Sequence, residues 1–114
     1  MGQAEAHVAS LASTVVTRFA AELRRRFGDA VRDVRLFGSF ARGDAHEDSD
    51  VDVAVVLERV DWATQREVID LATDLGLPND LSISPTLFDR ATYERWRRQE
   101  RPLVMDIERD GISL

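Results

Sequence analysis

The chain has 114 residues, 44% hydrophobic and 32% charged, a composition that suits one soluble domain with a core of its own. It contains no cysteine, which excludes disulfides, thiolate catalysis and cysteine-bound zinc. It contains no lysine either, and its net charge of −6 argues against nucleic acid as the main partner, because such binding rests on neutralised phosphates.

No apolar run is long enough to span a membrane, and no secretory leader is expected. A single cytoplasmic domain over residues 1–114, without repeats or linkers, is therefore expected. Val8, Leu11, Val15, Phe19, Leu23 and Phe27 recur at steps of three and four, which predicts an amphipathic helix ending at Gly28. Arg24, Arg25 and Arg26 fall in its last turns, where cations suit the helix dipole. A basic patch for RNA is the sharper alternative for that trio, and the overall acidity speaks against it. His7 and His46 have no partners at metal-ligand spacing and are expected at the surface.

A first strand is predicted over 33–37 and a second over 51–57. The most informative stretch lies between them. Gly38-Ser39 follows the apolar run Val34, Leu36, Phe37, and Asp50-Val51-Asp52 opens the next strand. Successive strand side chains point to opposite faces, so Asp50 and Asp52 share one face and Val51, Val53 and Val55 the other. Two carboxylates held side by side repel unless a cation neutralises them. Mg2+ takes such oxygen ligands together with substrate phosphates and water. A Gly-Ser turn opening a helix offers backbone N–H groups and a hydroxyl to a phosphate, and Arg42 brings a planar fork of donors to the same place. Either half alone would be an ordinary turn or a solvated acidic loop; the two at this spacing point to a metal–triphosphate site.

Further along, Asp61 is placed to cap a helix running to about Leu75 and stopped by Gly76 and Pro78. Asn79-Asp80-Leu81-Ser82-Ile83-Ser84 alternates polar and apolar and predicts a short strand with Asp80 at its head. The alternative is that Asp80 belongs to a turn formed by Leu77-Pro78-Asn79-Asp80. Ser84-Pro85 is expected to open a helix containing Leu87, Phe88, Ala91 and Trp96, with Arg95, Arg97, Arg98 and Arg101 on a solvated face. Pro102 then starts a last short helix carrying Val104, Met105 and Ile107. The fold class is α/β (α+β): a small mixed sheet of three or four strands, with helices mainly on one face and the site where the first two strands meet.

Gly38-Ser39-Phe40-Ala41-Arg42-Gly43 and Asp48-Ser49-Asp50-Val51-Asp52 resemble the signature of the minimal nucleotidyltransferases, in the DNA polymerase β-like nucleotidyltransferase superfamily. The closing Asp110-Gly111-Ile112-Ser113-Leu114 is similar to the Glu-Gly-x-x-Leu ending common among them. The resemblance implies ATP as substrate, two Mg2+ ions on Asp50 and Asp52, and a third carboxylate on a later strand, for which Asp80 is the candidate. Asn79 departs from the apolar residue usual before that acid. It also implies a partner, because a chain this short has no room for an acceptor-gripping domain. In the family the partner is commonly a helical HEPN-domain toxin, and the transferase is its antitoxin, moving AMP onto a tyrosine. Neutralisation by binding alone, and modification of a small molecule such as an aminoglycoside, are the other two readings.

Overall fold

A computed structural model describes residues 2–46 and 48–114 of the chain. Helix α1 (Gln3–Phe27) leads into strand β1 (Val31–Phe37) and the four-residue helix α2 (Ser39–Arg42). Strand β2 (Val51–Leu57), helix α3 (Trp62–Gly76) and strand β3 (Ile83–Asp89) follow, then helices α4 (Arg90–Arg98) and α5 (Pro102–Asp110) and a short strand β4 (Ile112–Ser113). The four strands form one mixed sheet in the order β3-β2-β1-β4. β1 is antiparallel to both β2 and β4, while β2 and β3 run parallel across the α3 crossover.

β2 lies in the middle and is buried on both faces, which explains its unbroken apolar run from Val53 to Leu57. Val51, Val53, Val55 and Leu57 meet Val16, Phe19 and Leu23 of α1 and Val68 and Leu71 of α3. Ala54 and Val56 meet Phe88, Tyr93, Val104 and Ile107 on the other side. Burying a valine or leucine contributes roughly 1.5–3 kcal/mol, so these two clusters carry most of the stability. The two long helices share one face, as expected. The two nine-residue helices α4 and α5 cover part of the other. His7 and His46 are exposed, also as expected.

The third strand corrects the sequence reading. Residues 77–79 form a 3-10 turn, and Asp80 follows it with φ 54° in the left-handed region. Asp80 therefore ends a turn, three residues before β3, and does not head a strand. Ser84-Pro85 opens no helix. Pro85 sits inside β3 opposite Val53, and it is tolerated because β3 is an edge strand with one partner. The helix begins instead at Arg90, where the Asp89 side chain accepts from Thr92 N at 2.6 Å. That hydrogen bond holds the Asp89 carboxyl below its usual range. Asp89→Ala is expected to cost about 1 kcal/mol in chemical denaturation at neutral pH. The cost should shrink as pH falls through the lowered Asp89 value, because a depressed carboxyl contributes only while it is ionised.

Candidate active site

The register of β1 on β2 places Phe37 opposite Asp52, so the chain leaves β1 at Gly38 directly beside the Asp52 side chain. Gly38 adopts φ 74°, ψ −154°, a region open essentially to glycine alone. A Cβ at this position would overlap Oδ2 of Asp52 and lie 3.2 Å from its Cγ. The turn and the aspartate pair, with ten residues between Ser39 and Asp50, are thus in contact through the bare backbone of Gly38. Ser39 follows as the first residue of α2, whose leading N–H groups have no helical acceptors. Phe40 and Ala41 pack on the larger core cluster and hold the turn in place.

Asp50 is exposed and Asp52 half-buried. By strand alternation they share the sheet face of Ala54 and Val56, which α4 and α5 cover, and both carboxylates keep access to solvent at its end. Burial pushes the Asp52 carboxyl above its usual range, and the neighbouring Asp50 charge adds to that; Arg42 pulls the other way. Asp52 therefore resists ionisation until positive charge is brought to it. Two carboxylates on one face, beside a turn shaped for close approach, fit a divalent cation with oxygen ligands.

Arg42 is exposed and only loosely held, with Nε 3.4 Å from Asp44 Oδ2. Its charge acts on Asp52 and adds a lesser pull to the carboxyl of Asp110 at the end of α5, which the hydrogen bond from Arg109 chiefly lowers. The loop leading to β2 is closed by paired bonds between His46 and Ser49, the His46 N–H donating to Ser49 Oγ at 2.9 Å and the Ser49 N–H to His46 O at 3.0 Å.

The structure brings together Gly38, Asp50, Asp52 and Arg42 and leaves Asp80 outside that group. Among the described residues no three acidic or histidine side chains converge on one point. Asp80 is exposed and lines a separate depression with Asp48, Ser49, Thr73 and Leu77. Sequence reasoning misses two neighbours. Ser84 is the register partner of Asp52 on β3, and the polar pair Ser84 and Thr86 at a two-residue step on that strand is the signal that marks this face. Asp110 reaches the field of Arg42 because β4 returns the tail to β1, with the Leu114 N–H donating to Val34 O at 2.9 Å.

The model of the nucleotidyltransferase domain family matches residues 16–107. The chain belongs to this family. It is 31% identical over 77 residues to MJ0141 of Methanocaldococcus jannaschii, named as a candidate protein adenylyltransferase, covering 67% of this chain and 78% of that one. It is 49% identical over 47 residues to the protein adenylyltransferase MntA of Thermococcus cleftensis, covering 41% of this chain and 46% of MntA. The match therefore spans less than half of that relative. Among solved structures the fold is similar to a toxin–antitoxin with AMP-PNP, at TM-score 0.55 and 24% identity over 84% of this chain and 69% of that one. A mutant MntA–HpeT toxin–antitoxin matches at TM-score 0.52 and 22% identity, over 82% and 68% of the two chains. These relatives bear out the resemblance to minimal nucleotidyltransferases drawn from residues 38–52. No described helix is long and apolar enough to cross a membrane.

Proposed function

We propose that the chain is a Mg2+-dependent protein adenylyltransferase that moves AMP from ATP to a hydroxyl, a tyrosine, of a HEPN-type toxin and so serves as its antitoxin. The observation that carries the proposal is the contact of the Gly38 turn with Asp52, with Asp50 beside it on the same sheet face. The names of the relatives support the reaction, and the toxin–antitoxin structures of similar fold support the partner. In the reaction an acceptor oxygen bonds to the α-phosphorus, the α–β bridge breaks, and pyrophosphate leaves.

Gly38 and Ser39 hold the triphosphate through backbone N–H groups and the Ser39 hydroxyl, and Arg42 neutralises phosphate charge from the side. Asp50 and Asp52 would hold the cations. When bound, Mg2+ neutralises phosphate charge and stabilises the attacking and leaving oxygens. The raised pKa of Asp52 fits this role, since a cation restores the ionised form that burial disfavours. Asp80 is the candidate third carboxylate and proton acceptor, a role that requires its turn to move toward the Asp50–Asp52 pair. Because the fold holds it outside the pair, Asp80→Ala is expected to slow transfer about tenfold, well short of the loss expected at Asp50 or Asp52.

Incubation with ATP labelled at the α or the γ phosphate tests the reaction class, using the protein encoded beside this one as acceptor. Label from the α position alone, appearing on that protein, is the expected result. The second reading is an antitoxin that acts by binding, with vestigial catalysis. A stable complex without any label would establish that reading in place of the first, and label on a small acceptor without the protein would establish the small-molecule one.

A further inference from the structure

The outward face of α3 carries apolar side chains that the fold leaves uncovered. Trp62 is 76% exposed, Ile69 41% and Leu77, just past the helix end, 74%. Single exposed hydrophobic residues are ordinary, but these three are aligned. Trp62, Arg66, Ile69, Thr73 and Leu77 follow one another at steps of four, three, four and four, so they form one stripe roughly 22 Å long. Glu67, Asp70 and Asp74, all exposed, run beside it at steps of three and four. Arg66 is the lone base of the helix and stands 3.9 Å from Asp70.

The stripe ends at a depression beside the loop that precedes Asp50. Thr73 and Leu77 line this depression of about 390 Å³ together with Asp48, Ser49 and Asp80. Asp48 and Ser49 immediately precede Asp50. An apolar seam with an acidic rail thus runs from the start of α3 to the loop that delivers Asp50 and Asp52.

We infer that this face docks a basic amphipathic helix of the protein that receives the nucleotide, laid along α3 with one end at the loop that precedes Asp50. The inference rests on the protein-acceptor reading above. Charge complementarity selects the occupant. An apolar seam on one helix takes the apolar ridge of another, and the rail of Glu67, Asp70 and Asp74, continued by Asp48 and Asp80, calls for lysine or arginine on the flanks of the incoming helix. The same rail repels nucleic acid and disfavours a second copy of a chain with net charge −6.

The full-length chain is titrated with a 20-residue helical peptide bearing leucines at three- and four-residue steps and lysines on both flanks, with tryptophan emission as the signal. A matching peptide with glutamates in place of the lysines is the control. Saturable binding with a blue shift is expected for the lysine peptide and none for the control. Trp62→Phe should remove the shift while calorimetry still detects binding, which assigns the signal to Trp62 and not Trp96. Ile69→Ser with Leu77→Ser should weaken binding at least tenfold, whereas Asp50→Ala with Asp52→Ala should leave it unchanged, so that docking is judged apart from transfer. Equal binding of both peptides, no loss in the Ile69→Ser, Leu77→Ser variant, or a concentration-dependent shift of Trp62 without peptide would overturn the inference. The last result would assign the face to a second copy of the chain.

Discussion

Asp52→Asn is expected to raise the melting temperature at neutral pH and to abolish nucleotide transfer. The two effects share one cause. Burial and the neighbouring Asp50 charge push the folded-state pKa of Asp52 up, so the folded chain holds that proton more tightly than the unfolded chain does. The stabilisation this gives is fully present below about pH 4, the ordinary range of an aspartate, and is lost as pH rises through the elevated value. At pH 7 the ionised side chain is a cost that asparagine removes at nearly the same volume. The gap in melting temperature between Asp52→Asn and wild type should therefore widen from pH 4 to pH 7, and millimolar Mg2+ should narrow it again by stabilising wild type alone. Transfer should fall by on the order of 1000-fold, since several kcal/mol of charge stabilisation leave with the ligand. A variant that transfers normally, or that melts lower than wild type at pH 7, would contradict this account of Asp52.

Gly38→Ala is expected to act in the opposite direction on stability and the same direction on activity. Its backbone conformation excludes a side chain, and the added methyl would overlap the Asp52 carboxylate. Relief requires the turn to move away from β2 or Asp52 to change rotamer. The expected destabilisation is about 2 kcal/mol, read as a shift of the denaturation midpoint at unchanged slope. Transfer should drop at least 100-fold, because a displacement near 1 Å at a reacting site costs about that much. If Gly38→Ala were as stable and as active as wild type, the contact between turn and carboxylate would have no role.

Asp52 and Gly38 both carry signals that are legible in the amino-acid sequence. Alternation along a strand puts Asp50 and Asp52 on one face, and a Gly-Ser turn after an apolar run marks the anion end; both are local inferences. That the turn touches Asp52 depends on the pairing of Phe37 with Asp52, which spacing suggests but does not determine. Asp80 shows where local pattern fails. Polar–apolar alternation over 79–84 imitates a strand, while Pro78 and the left-handed Asp80 close a turn and the strand starts at Ile83. Ser84-Pro85 likewise imitates a helix start, because the place of Pro85 on a sheet edge depends on strand order, a property of the whole sheet. Ser84 and Asp110 reach the site through pairings between β2 and β3 and between β1 and β4, long-range contacts with no short-range signature.

The most direct test of the central claim is a calorimetric titration of an ATP analogue that cannot be cleaved between the α and β phosphates. It is run with and without Mg2+, on wild type and on the Asp50→Ala, Asp52→Ala variant. Binding by wild type in Mg2+, lost both on chelation and in the variant, is the predicted result. Equal binding without the metal, or by the variant, would show that the end of the sheet holding Gly38, Asp50 and Asp52 is not a metal-dependent nucleotide site.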